Sequence, residues 1–218
     1  MITAFINSIL EDCQQGIFNF KDLEKEIRKR LKKFGYKDLT KQKKRKNYKA
    51  FLNKQKDNIL NSNKVIENPF KNKGPCFIYQ PFNEQSFPDF LIFENDIVIA
   101  FEVKSSTKGE NHPMWNGGLP RPNALYLFVS KKDNNFKGVT FFKGEFLLSE
   151  EQNKKIELYW KILTSVAKIL DKWLLENAPD IQITPYLRKA HNQRISCFGE
   201  NQSKIEKDTL AWLTTVES

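Results

Sequence analysis

Asp89, Glu102 and Lys104 are the residues whose types and spacing can do chemistry in this chain. They lie in SFPDFLIFENDIVIAFEVKSS (86–106), where Asp89 follows a proline and Glu102-Val103-Lys104 closes an apolar run. Paired carboxylates supply the oxygen ligands that Mg²⁺ prefers, leaving positions for water and phosphate oxygens. A metal held this way lowers the pKa of its water and offsets charge on a phosphate under attack. A lysine beside it can orient or deprotonate the attacking water. The competing reading is a strand that simply ends in a solvated ion pair. Among sixteen Glu, only Glu102 has a lysine two places on, and the other Pro-Asp pair, Pro179-Asp180, has no Glu-x-Lys after it.

For that chemistry to work, two strands must bring the three side chains together. Alternation along a strand puts Glu102 and Lys104 on one face and Phe101 and Val103 on the other. Phe90–Phe93 reads as a strand, Glu94-Asn95-Asp96 as a tight turn and Ile97–Val103 as a second strand. Counting back from the turn sets Asp89 opposite the region of Glu102. The nearly continuous apolarity of 97–103 places it centrally in a sheet, covered on both faces. CFIYQ (76–80) and ALYLFVS (124–130) supply further strands, and GVTFFKGEFLL (138–148) a strand or hairpin.

Helical periodicity frames this core. A helix is expected over 3–15, with Phe5, Ile6, Ile9 and Leu10 inward. Asn19 is expected to cap a second, with Leu23, Ile27, Leu31 and Phe34 buried and Gly35 as its stop. A basic loop enters a third that carries Tyr48, Phe51, Leu52, Ile59 and Leu60. Ser149 opens a long helix with a Ser-x-x-Gln capping box, whose inward stripe would be Ile156, Trp160, Leu163, Ala167, Leu170 and Leu174. A last helix spans 202–215. The fold class expected is α/β: a central mixed sheet flanked by helices in one domain, 1–218. Its parts are a basic helical stretch (1–62), a sheet core (76–148) and a helical C-terminal part (149–218).

Net charge is +10, yet residues 21–56 hold sixteen Lys/Arg against four Asp/Glu, a net +12 in that segment alone. A cationic segment on a near-neutral body suits a phosphate backbone, whose counterions are released on binding. A solvated helix face is the plainer alternative. Cys13, Cys76 and Cys197 form neither a disulfide framework nor a zinc knuckle. No apolar run is long enough to span a membrane, and the first residues lack a secretory pattern, so the expected location is the cytoplasm.

Pro88-Asp89 … Glu102-Val103-Lys104, with its strand–turn–strand spacer, resembles the signature of the PD-(D/E)XK nuclease superfamily, over roughly residues 76–130. The resemblance implies a restriction-endonuclease-like core. It implies that Asp89 and Glu102 hold Mg²⁺ with help from the Val103 carbonyl, and that Lys104 assists the water. Members of the superfamily add an acidic residue from an upstream helix, for which Glu24 and Glu26 are the candidates. A chain of this size looks most like a type II restriction endonuclease. That implies double-stranded DNA as substrate, a homodimer, and a cognate DNA methyltransferase as companion. Either the 149–177 helix or the terminal helices can provide the dimer surface.

The loop after Lys104 carries side chains able to read bases or grip phosphate. Ser105, Lys108, Asn116, Arg121 and Asn123 are expected DNA contacts, with Gln85 ahead of the motif. Gln80, Asn111 and His112 are further candidates. Trp115 either stacks on a base or pins the loop to the core. With two histidines in the chain, an HNH centre is disfavoured. No phosphate-binding Gly-Lys-Ser/Thr loop and no G-x-S-x-G elbow is present. A nucleophile at Ser105 or Ser106 lacks an oxyanion arrangement. The alternatives are a repair or junction-resolving nuclease of the same superfamily, and a non-catalytic DNA-binding module.

Overall fold

The computed structural model describes residues 1–42, 45–61, 65–82, 86–115, 120–133, 135–181, 191–192 and 196–217. Helices α1 (Ile2–Gln14), α2 (Leu23–Lys33) and α3 (Lys46–Asn61) come first, with a two-residue strand β1 (Lys37–Asp38) before α3. Strands β2 (Ile66–Glu67), β3 (Cys76–Tyr79), β4 (Phe90–Glu94) and β5 (Ile97–Ser106) follow. Then come β6 (Met114–Trp115), β7 (Ala124–Lys132), β8 (Asn135–Lys143) and the short α4 (Gly144–Leu147). The chain continues through α5 (Glu150–Asn177), β9 (His191–Asn192) and α6 (Glu200–Glu217).

The main sheet is mixed, ordered β1-β3-β4-β5-β7-β8, with β2 added alongside β5. β5 and β7 are parallel, as are β1 and β3, while β3–β4, β4–β5 and β7–β8 are antiparallel. The central position expected for 97–103 is therefore observed. Alternation splits its side chains between two cores. Ile99 and Phe101 join Phe5, Ile27, Leu31 and Leu213 beneath α1, α2 and α6. Val98 and Ala100 join Tyr48, Leu52, Tyr126 and Phe128 on the α3 side. The basic N-terminal stretch thus adds an edge strand to the sheet as well as helical cover.

Local rules explain most element ends. Gly35, at φ 90°, lets its own N–H reach the Lys32 carbonyl and that of Tyr36 reach Leu31. That is the Schellman closure expected where a helix ends at glycine. The cap at the other end of α2 differs from expectation: Asp22, not Asn19, accepts from the Lys25 N–H at 3.2 Å. Asn19 instead closes a local turn with the Lys21 N–H, a competing use of a short polar side chain. The Ser149–Gln152 capping box of α5 forms in both directions.

Asp38 ties α2 to the sheet edge. It accepts from Arg28 at 3.0 Å and from Lys32 at the same distance. At the far end of the β4–β5 hairpin, buried Glu94 accepts from the Tyr36 hydroxyl at 2.5 Å and faces the N-terminal ammonium at 3.2 Å.

The inward stripe expected on α5 is met in part: Ile156, Leu163, Ala167 and Leu174 are half-buried. Leu170 is 60% exposed, and Asn153 is the buried residue of the helix among those described. Trp160's side chain lies outside the described residues. Periodicity reports that a helix has an apolar side, not that its own chain covers that side. No helix of the described residues is long and apolar enough to cross a membrane.

Gly144 opens α4 where the chain passes the loop before β7. A Cβ there would stand 2.0 Å from the Arg121 carbonyl oxygen. Backbone on both sides leaves nothing flexible to yield. Gly144→Ala is expected to cost several kcal/mol, on the order of the largest single-site effects, read as a fall in Tm by calorimetry.

Candidate active site at the β4–β5 edge

The antiparallel register pairs Phe90 with Phe101 and Leu91 with Ala100. One rung further, Asp89 meets Glu102, as counting from the turn requires. The turn that sets this register is the two-residue Asn95-Asp96, with Asn95 at φ 39°. Asparagine tolerates that left-handed backbone, which suits a tight hairpin.

The two carboxylates are locked by reciprocal bonds. The Asp89 N–H donates to Glu102 Oε2 at 3.0 Å, and the Val103 N–H donates to Asp89 Oδ2 at 2.7 Å. Lys104 Nζ donates to Glu102 Oε1 at 2.7 Å. Glu102 and Lys104 project to the face of Tyr126 and Phe128, their partners on β7. Glu102 is 7% exposed, while the Lys104 side chain keeps 23% of its surface in solvent. The three residues singled out from the sequence are thus brought together, with one side open.

Glu24 completes the surroundings. It sits in the first turn of α2 and accepts from the Tyr79 hydroxyl at 2.7 Å and from Gln80 Nε2 at 3.3 Å. Tyr79 pairs with Phe90, and the Gln80 N–H donates to the Asp89 carbonyl, so β3 carries this carboxylate to the β4 edge. Arg28 lies 5.0 Å over the Tyr79 ring and steadies it. Of the two upstream candidates, Glu26 is taken up by Arg30 at 2.7 Å. Tyr79 was not singled out from the sequence; its position opposite Phe90, next to Asp89, was the available signal.

Burial and the charge of Glu102 push the Asp89 carboxyl up to about 8, with Glu24 adding to the rise. The Val103 N–H and Lys104 pull the other way without compensating. Asp89 thus feels two other carboxylates against a single ammonium. Among the described residues no group of three or more His, Cys, Asp or Glu is gathered to hold a metal alone. Mg²⁺ needs no such cage, because it is held through one or two carboxylates with waters and phosphate oxygens completing its octahedron. Asp89 and Glu102 fit that pattern.

The expected DNA contacts divide. Gln85 and Asn116 lie outside the described residues. Arg121 is drawn to the flank of the site: its guanidinium is 5.9 Å over the Phe87 ring, which stacks on Tyr126. Ser105 is exposed on the opposite face from Glu102 and Lys104, a consequence of strand alternation. Lys108 is exposed beyond the end of β5, bridged to Lys132. Asn123 precedes Ala124, which pairs with Ala100, below the level of the carboxylates. There it lines a small apolar cavity with Ile59, Leu91 and Val98.

Asn111 is exposed and its carbonyl accepts from the Cys197 N–H, while His112 is half-buried. Trp115 is 3% exposed and packs edge-on to Tyr126 at 5.2 Å. It pins the loop and does not stand ready for a base. Ser106 is consumed by a turn, donating to Glu110 and accepting from the Lys108 and Glu110 N–H groups.

No protein-family model, no curated protein and no solved structure matches this chain.

The raised Asp89 carboxyl has a definite sign in stability. Its folded pKa lies above its ordinary value of 3.8, so the folded state holds the proton more tightly. Its contribution is fully present below pH 4 and is lost as pH rises through about 8. Metal-free protein is expected to lose Tm between those limits, and Asp89→Asn to flatten the decline. Mg²⁺ at pH 8 should raise the Tm of the wild type and leave that of Asp89→Asn unmoved.

Proposed function

We propose that the chain is a Mg²⁺-dependent nuclease of the PD-(D/E)XK type, built on a restriction-endonuclease-like core and acting on double-stranded DNA. The observation that carries this reading is the reciprocal bonding of Asp89 and Glu102 with Lys104 at 2.7 Å on the same strand end. Bound there, Mg²⁺ would activate a water and offset charge on the scissile phosphate. Asp89 and Glu102 would hold it, with the Val103 carbonyl beside them. Glu102 holds Lys104 at the open side, where its ammonium would orient the attacking water and only its neutral amine would accept a proton from it. Glu24, anchored by Tyr79, would add negative charge behind the pair.

The placement of the basic segment supports a polyanionic substrate. Much of the charge on α2 is answered internally, since Lys25, Arg28, Arg30 and Lys32 all pair with carboxylates. The residues after β1 are different. β1 runs parallel to β3, and the Tyr79 N–H donates to Thr40 Oγ1 at 3.0 Å. The chain therefore leaves the sheet at Thr40, beside Tyr79 and Gln80, with Lys41 exposed next to it, and Arg45 and Lys49 are exposed further along, where Tyr48 packs on Phe70. Exposed cations that lead away from the carboxylate end of the sheet would give a phosphate backbone its counter-charges.

A type II restriction enzyme, working beside a cognate methyltransferase in the cytoplasm, is the form of this activity we favour. A repair or junction nuclease would use the same site. Digestion of a sequenced phage DNA separates them, because defined fragments mark a site-specific enzyme.

Purified protein is expected to cleave plasmid DNA with Mg²⁺ and not with EDTA. Lys104→Ala should lower the rate by about a hundredfold or more; undiminished cutting by that variant overturns the site. The Lys41→Ala/Arg45→Ala/Lys49→Ala variant should bind duplex DNA more weakly, whatever its sequence. In fluorescence-anisotropy titrations the slope of log affinity against log salt should fall by about one for each phosphate that the variant no longer neutralises. A salt slope equal to wild type removes these cations as phosphate contacts. Metal-independent binding with no cleavage product would instead identify a DNA-binding module.

A further inference from the structure

The long helix α5 is half-buried along Ile156, Leu163, Ala167 and Leu174 and open along the side next to them. Leu158, Ile162, Ile169, Leu170 and Trp173 are each more than half exposed, with Val166 at 46% between them. At 100° per residue they share one side of the helix. Ile162, Val166, Ile169 and Trp173 recur at the alternating four- and three-residue spacing by which helices pair. By contrast α1 and α6 bury their apolar residues against the sheet, which removes the terminal helices as the open surface.

We propose that α5 is the surface through which two copies of this chain pair, helix against helix, antiparallel about a two-fold axis at Val166. Area and symmetry argue for a second copy as the occupant. The exposed apolar side presents on the order of 700 Å², close to the ~800 Å² that each partner gives to a standard interface. It exceeds the largest apolar patch usual on a monomer, about 300–600 Å². The stripe also reads alike in both directions from its centre. Ile162 stands four residues before Val166 and Leu170 four after. In an isologous contact residue i of one copy meets residue j of the other and j meets i, so an axis at Val166 sets Ile162 against Leu170 and Val166 against its own counterpart. A membrane surface is a poorer occupant. The helix carries five lysines against five acidic residues, whereas helices that lie on anionic lipid keep a cationic polar face. The pairing stands on α5 alone; added to the proposed nuclease, it would give one site for each DNA strand.

Sedimentation velocity of the full chain, without DNA or metal, tests it. Wild type is expected at twice the monomer mass across the micromolar range. Ile162→Glu/Ile169→Glu is expected at the monomer mass with an unchanged circular-dichroism spectrum, as both positions are exposed. Single cysteines report the direction independently of that variant's folding. Val166→Cys sits on the axis and should cross-link to its counterpart on oxidation, with native Cys13, Cys76 and Cys197 buried out of reach. Leu158→Cys should not, because sixteen residues of helix at 1.5 Å each put its counterpart ~24 Å away.

A wild type that is monomeric throughout overturns the proposal. So does a folded double variant that stays dimeric, or Leu158→Cys cross-linking as fast as Val166→Cys. A monomer that floats with phosphatidylserine vesicles assigns the helix to lipid instead. None of these readouts uses the β4–β5 site, so failure here leaves the nuclease reading standing, and loss of cleavage in Lys104→Ala leaves the pairing untouched.

Discussion

The pairing of β4 with β5 is the constraint on which the candidate site depends. A tight turn at Asn95-Asp96 sets the register, and that register alone decides that Asp89 meets Glu102. A slip of one residue would send every side chain on β4 to the opposite face. The register is protected by burial, because Phe90 and Phe101 belong to one core and Leu91 and Ala100 to the other. Two backbone N–H groups then fix the carboxylates themselves. Hydrophobic packing far from the charges thus holds the charges in place.

Those charges are in tension with their surroundings. Glu102 is almost fully buried and the Asp89 carboxyl is destabilised as an anion by burial and by its neighbour. A fold optimised for stability alone would replace such a pair with apolar residues. Like-charged carboxylates held in mutual contact are a feature that functional sites retain at the expense of stability. Lys104 offsets part of the repulsion while leaving room for more positive charge. The same logic distinguishes the basic residues: Lys25, Arg28, Arg30 and Lys32 of α2 serve the fold through carboxylate partners, and Lys41, Arg45 and Lys49 after β1 reach solvent.

The helices also divide by role. α1, α2 and α6 close one core and α3 helps to close the other, so the sheet is covered on both faces. α5 adds little to either and carries its apolar side outward. Its capping box is complete, so the helix is well started, and Ile156, Leu163, Ala167 and Leu174 along it are half-buried.

The sequence by itself determined what is local. Strand alternation put Glu102 and Lys104 on one face, the turn count placed Asp89 across from them, and Gly35 and Ser149 marked helix ends through backbone geometry and side-chain capping. Each depends on neighbours within a few residues, which is why it could be read from spacing. Tertiary structure alone decided what depends on partners distant in the chain. Glu24 rather than Glu26 faces the site because Tyr79 and Gln80 reach it across the sheet edge, while Arg30 claims the other. Trp115 went to the core because Tyr126 offers it a packed ring, and Asn123 fell below the site because parallel pairing sets β7 level with Ala100. The outward face of α5 was the least legible of all, since a hydrophobic stripe records that it needs a cover and not which chain supplies it.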